Sequence, residues 1–142
     1  MSSNTADISG KARGRKILLA EDNPQDVFLL TEAFLTENIP VQIDCVEDGD
    51  QLLTLLTGDG CGSYGLAVLD AHLPKRSAEE VLTLLGRQQK RPSMPLIILT
   101  TLASNQEKDR LMELGVKEIL AKPFDLNEYF ALAKKLGALL IA

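Results

Sequence analysis

The chain has 142 residues, 45% hydrophobic and 25% charged, which suits one globular domain with a sizeable core. Its net charge of −5 excludes nucleic acid and anionic membranes as partners drawn by overall charge. The two cysteines, Cys45 and Cys61, have no metal-ligand spacing and make no disulfide framework, so both read as reduced thiols in a cytoplasmic protein.

Residues 1–14 are small and polar and read as a flexible N-terminal tail without the apolar centre of a signal peptide, ahead of a domain over 15–142. Lys11, Arg13, Arg15 and Lys16 form the only basic cluster, read as a solvated tail. No apolar stretch approaches the length of a transmembrane helix. From there strand-like and helix-like patterns alternate. The apolar run at 16–20 predicts a strand, followed by a helix over 24–37 opened by Asn23 as cap and Pro24 at the first helical position. A strand over 41–46 and a helix over 50–57 come next, then a glycine-rich loop over 58–65. A strand over 66–70 leads to a helix over 78–88, with Ser77 and Glu80 in the spacing of a reciprocal cap and Gly86 fraying the end. A strand over 96–100 leads to a helix over 105–114, capped by Ser104 and closed by Gly115. The last strand, 118–121, leads to a helix over 126–139 whose apolar stripe is Leu126, Tyr129, Phe130, Ala133 and Leu136. The apolar tail Leu139-Leu140-Ile141-Ala142 is expected to pack on the core. Five strand–helix units with short loops imply a parallel sheet with helices on both faces.

Chemistry-bearing residues collect where these strands end. The first strand runs into Glu21-Asp22, the third ends at Asp70, the fourth at Thr100-Thr101, and the fifth is followed by Lys122. Strand ends on one edge of a parallel sheet are where open α/β folds build sites. Three carboxylates brought together raise one another's pKa unless a cation joins them. Mg²⁺, a hard ion bound by one or two carboxylates with waters and phosphate oxygens, suits such a set. Asp70 is then placed as a nucleophile toward a phosphoryl donor, with Lys122 and Mg²⁺ stabilising the transferring group and the Thr100 hydroxyl donating to it. Any one of these residues alone has an ordinary structural explanation; four at four strand ends do not.

The stretches ILLAEDNPQDV, LAVLDAHLP, PLIILTTLA and ILAKPF resemble the receiver domain of two-component response regulators, with Thr100 and Lys122 thirty and fifty-two residues after Asp70. The resemblance covers about residues 15–140. It implies a flavodoxin-like α/β fold, a five-stranded parallel sheet in the order 2-1-3-4-5. It implies that Asp70 is the phosphoacceptor, Asp22 a direct Mg²⁺ ligand, Glu21 an indirect one through water, and the His72 backbone carbonyl a further ligand. It implies Thr100 as the switch hydroxyl, Lys122 as the phosphate-pairing lysine, and a cis Lys122–Pro123 bond. It also implies a sensor histidine kinase as donor, and an output by a partner protein or self-association through the face made by the fourth helix, fifth strand and fifth helix. The EDNP-x-D opening and the DxxLP segment are most similar to stand-alone receivers that partner bacterial phytochrome-type kinases.

Three positions depart from the pattern: Ile119 stands where many receivers carry Tyr or Phe, Thr101 where a small residue is usual, and Ala78 where glycine is common. They leave open a receiver-like module that binds a partner without phosphorylation. A phosphohydrolase with an aspartate nucleophile fits less well, because His72 stands where such enzymes carry a second acid. The segment from Gly60 to Gly65 matches GxGxxG but precedes a strand, so the dinucleotide reading fails on context.

Overall fold

The computed structural model describes residues 3–4, 15–58 and 62–141. Ten elements alternate from residue 16 onward: β2 (Lys16–Ala20), α1 (Pro24–Thr36), β3 (Gln42–Val46), α2 (Gly49–Thr57), β4 (Leu66–Asp70), α3 (Ala78–Arg87), β5 (Leu96–Thr100), α4 (Asn105–Glu113), β6 (Glu118–Ala121) and α5 (Leu126–Ile141). A short β1 (Ser3–Asn4) precedes them. The sheet order is β1-β3-β2-β4-β5-β6, with β2 to β6 all parallel. Counting those five alone, the order is 2-1-3-4-5, the expected flavodoxin-like arrangement. Of the expected tail, Ser3 and Asn4 pair antiparallel with Asp44 and Ile43 on the sheet's edge. The rest of that tail, and residues 59–61 of the glycine-rich loop with Cys61 among them, lie outside the described residues.

Apolar residues on both faces of the strands explain the layers. Every residue of β4 and β5 is buried, as fits central strands covered on both sides. One face holds Leu18, Leu69 and Ile98 against Leu52 of α2, Val81 and Leu85 of α3 and Leu111 of α4. The other holds Ile17, Val68 and Ile97 against Leu30 and Phe34 of α1 and Leu132 and Leu136 of α5. Leu139 and Leu140 pack against this second cluster, as the tail's composition predicted. Leu126 does not join the stripe: at the first turn of α5 it is half exposed, because the helix meets the sheet only from Tyr129 onward.

Local signals operate at the helix ends. The Asn23 side chain accepts from Gln25 N–H at 2.9 Å. Ser77 and Glu80 form a complete capping box, and Ser104 and Asp125 accept from the backbone N–H groups of Glu107 and Glu128. Gly115 closes α4 at φ 97°, a conformation open to glycine at no steric cost. No helix among the described residues is long and apolar enough to cross a membrane.

Candidate functional site

The register of the sheet sets the site. Ala20 lies beside Leu69, Asp70 beside Leu99, and Thr100 beside Ala121. The residues that leave these strands, Glu21, Asp70, Thr100 and Lys122, therefore share one edge. All six sequence-predicted residues fall at this edge or on the loops leaving it.

Lys122 is the hub. Its Nζ lies 2.8 Å from Glu21 Oε1, 3.3 Å from Asp70 Oδ2 and 3.3 Å from Asp26 Oδ2. Burial works against its charge, but the Glu21 hydrogen bond and the charges of Glu21 and Asp70 outweigh that and hold the ammonium above its ordinary range. Glu21 and Asp70 are buried, at 4% and 8% exposure. Burial is the main reason that Glu21 has a raised pKa; Asp70's charge adds to it, while hydrogen bonds from Lys122 and Asn23 work the other way.

The remaining atoms of Asp70 and Thr100 are engaged locally. Asp70 Oδ1 accepts from His72 N–H at 3.0 Å. Thr100 Oγ1 donates to the Leu102 carbonyl at 3.1 Å and accepts from Leu102 N–H at 3.3 Å, so the hydroxyl is turned onto its own loop. The His72 imidazole is exposed and lies 3.4 Å from Glu107 of α4.

Glu21, Asp22 and Asp70 each offer a carboxylate oxygen within 4.8 Å of the others. Ligands about 2.0–2.1 Å from a central Mg²⁺ lie about 3–4 Å apart, so these oxygens need to close up only slightly, or to act through a bound water, to share one ion. The donors are all hard oxygens, Asp22 is solvent-exposed, and the carboxylates' mutual repulsion is what a divalent ion relieves. The residues present fit the cation.

Asp26, in the first turn of α1, was missing from the site read from the sequence. It joins Lys122 to Tyr129, whose hydroxyl donates to Asp26 Oδ1 at 3.1 Å; burial, followed by Asp26's charge and hydrogen bond, pushes the Tyr129 hydroxyl up to about 12. Its signal was its place in the EDNP-x-D segment, in the first helical turn after the acidic pair. One expectation is corrected. No cis peptide bond occurs among the described residues, so Lys122–Pro123 is trans. The Lys122 N–H bonds to Thr100 O at 3.0 Å, and Phe124 N–H to Glu128 Oε1 at 2.7 Å, which makes the entry into α5 with the more stable isomer. Of the departures, Ile119 is half-buried and packs against the core under α2–α4, Ala78 is fully buried at the start of α3, and Thr101 is exposed.

Comparison with known proteins agrees with this geometry. Residues 17–134 match the model of the response regulator receiver domain. The chain is 34% identical over 128 residues to the transcriptional regulatory protein TcrA of Mycobacterium tuberculosis, covering 90% of this chain and 48% of that protein. It is 30% identical over 115 residues to the probable methanogenesis regulatory protein FilR2 of Methanothrix harundinacea, covering 79% of this chain and 74% of that one. It thus spans about half the length of TcrA. Among solved structures, the phosphorylated cyanobacterial phytochrome response regulator RcpA superposes with a TM-score of 0.75 at 26% identity, covering 90% of this chain and 94% of RcpA. The response regulator RPA3017 of R. palustris, described in red light signaling, gives 0.73 at 26% identity, covering 85% and 90%. With the matched sheet order, the strand-end acids and the lysine between them, the chain belongs to the response regulator receiver domain family.

Proposed function

We propose that this receiver accepts a phosphoryl group on Asp70 from a sensor histidine kinase in the cytoplasm and thereby switches a protein-binding surface. The observation that carries the reading is a buried aspartate at a strand end with a charged lysine on one oxygen, a backbone N–H on the other and two more acids within metal-binding reach. An Asp70 carboxylate oxygen attacks the phosphorus of a phosphohistidine; the P–N bond breaks, its electron pair leaves with the imidazole, and an acyl phosphate forms. Glu21, Asp22, Asp70 and the His72 carbonyl would hold Mg²⁺, and the ion would supply positive charge to offset the negative charge on the phosphoryl oxygens. Lys122, 3.3 Å from Asp70 Oδ2, contributes a fixed positive charge of its own.

Phosphorylation replaces the single charge of the Asp70 carboxylate with about −2 on the phosphoryl oxygens, further out from the strand end. A phosphoryl oxygen competes with the Leu102 carbonyl for the Thr100 hydroxyl, and turning that hydroxyl inward releases the loop before α4. The face of α4, β6 and α5 then changes, as a docking surface for a partner or for a second copy. Similarity to RcpA and RPA3017, with the EDNP-x-D and DxxLP segments, supports a kinase of the phytochrome type.

Intact-protein mass after incubation with acetyl phosphate, with Mg²⁺ or with EDTA, tests this. One added phosphoryl group that requires Mg²⁺ supports the reading. No gain, under conditions that label a control receiver, supports instead a module that binds its partner without phosphorylation.

A further inference from the structure

The loop between β4 and α3 leaves Asp70 and is fastened at its far end to the first turn of α2. Gly49 N–H donates to Pro74 O at 3.0 Å. Lys75 Nζ lies 3.5 Å from Asp48 Oδ2, and Arg76 Nε donates to Asp50 Oδ1 at 2.8 Å. The two backbones approach so closely that a Cβ on Gly49 would sit 2.0 Å from Arg76 O and 2.6 Å from Arg76 Cβ. Only glycine fits there without moving the loop.

Between these fastenings and Asp70 the loop has little slack. His72 N–H is bound to Asp70 Oδ1. Ala71 bonds through its N–H to Leu99 O at 2.9 Å and through its carbonyl to Ala78 N–H at 3.2 Å. Ala71 and Leu73 are buried in the same apolar cluster as Leu52 of α2. Lys75 holds a left-handed φ of 68°, and Arg76 N–H closes a tight turn onto Pro74 O at 2.8 Å. For a residue with a side chain that conformation persists only when its surroundings enforce it.

We propose that this loop is a strut coupling occupancy of the Asp70 site to the first turn of α2. The inference rests on the cation site proposed above. A cation held by Asp70 and the His72 carbonyl fixes the near end of the strut. The fastenings at Asp48, Gly49 and Asp50 carry that constraint to α2, whose Asp50, Gln51, Thr54 and Leu55 wall a surface groove of about 560 Å³ together with Val46 and Lys75. Coupling of this kind is reciprocal, so disturbing the α2 end also changes cation affinity at the acidic end.

The test is a Mg²⁺ titration followed by backbone amide NMR on the whole chain. In the wild type, the amides of Gly49–Gln51 shift along with those of Ala71–Leu73, with one shared Kd. Gly49→Ala forces the loop away from α2 and weakens that Kd by about threefold or more. Gly86→Ala, where an added Cβ meets nothing within 4 Å, leaves it unchanged. Should Gly49→Ala not fold, Arg76→Gln gives the same answer from the exposed side: the α2 shifts fall to less than about half while the Ala71–Leu73 shifts persist. Loop amides that titrate while the α2 amides stay silent overturn the strut and leave the cation site standing. So does a Gly49→Ala variant with wild-type affinity. A wild type in which no amide responds to Mg²⁺ overturns the cation site, and the strut with it.

Discussion

Replacing Lys122 with methionine removes the one ammonium set among Glu21, Asp26 and Asp70 while keeping most of the side chain's volume. The cost follows from burial. Glu21 and Asp70 are 4% and 8% exposed, and removing one partner of a buried ion pair typically costs about 3–5 kcal/mol. Asp26 is more exposed and one edge of the cluster opens to solvent, so the expected loss at neutral pH without Mg²⁺ is about 2–3 kcal/mol. For a domain of this size that is a fall in Tm of roughly 6–12 °C. The loss depends on pH with a defined sign. The Glu21 pKa is already raised above its ordinary 4.5, and removing the Lys122 hydrogen bond raises it further. The folded variant then binds more protons than the unfolded chain in the window above 4.5. Its stability is greatest below that value and is lost as pH rises through the folded pKa. Urea melts followed by circular dichroism, at about pH 5 and about pH 7.5 and with or without millimolar Mg²⁺, measure this. The destabilisation should shrink in acid and should shrink on adding Mg²⁺ at neutral pH. A variant as stable as the wild type at neutral pH without Mg²⁺, or one whose loss is the same under all conditions, refutes the claim that Lys122 neutralises this cluster.

Other outcomes follow from the same structure. Tyr64→Phe strips the hydroxyl that donates to buried Asp44 at 2.7 Å and should cost about 1–3 kcal/mol in a urea melt, with Lys16, 3.6 Å from Asp44, limiting the loss. Burial, then the charges of Glu47 and Glu21, push the Cys45 thiol up to about 11. In a Cys61→Ser background its alkylation by iodoacetamide at about pH 8 should be roughly 100-fold slower than for a thiol of ordinary pKa, and should climb steeply toward pH 11. Phe34→Ala, at a fully buried position under α1, should lose about 3–5 kcal/mol by the same melts without changing the Mg²⁺ response. Ser77→Ala opens the α3 capping box and should cost about 1 kcal/mol.

The sheet was readable in the sequence because its central strands are buried on both faces and so appear as apolar runs; β2, β4 and β5 span 16–20, 66–70 and 96–100, where those runs place them. The site was readable because each run delivers its functional residue at the same end. Asp26 was not, since a helix brings it back to the site by a turn that no strand-end pattern marks. The short β1 was hidden for a different reason: two residues pairing with an edge strand carry no hydrophobic period. Asp44 was also hidden. A charge inside a strand pattern gives no clue that Tyr64 and Lys16, distant in the chain, will satisfy it. The Lys122–Pro123 bond, trans where the family likeness implied cis, is a feature that no residue pattern in the chain marks.

The central claim is that Asp70 itself becomes the acyl phosphate. Treatment with acetyl phosphate and Mg²⁺, reduction with borohydride and peptide mapping tests it most directly, because hydride converts an aspartyl phosphate to homoserine and leaves free carboxylates intact. Homoserine at position 70, dependent on both the phosphodonor and Mg²⁺ and absent from Asp70→Asn, is the predicted result. Homoserine at Asp22 or Asp26, the five-carbon 2-amino-5-hydroxypentanoic acid at Glu21, or full labelling of Asp70→Asn, would contradict the account.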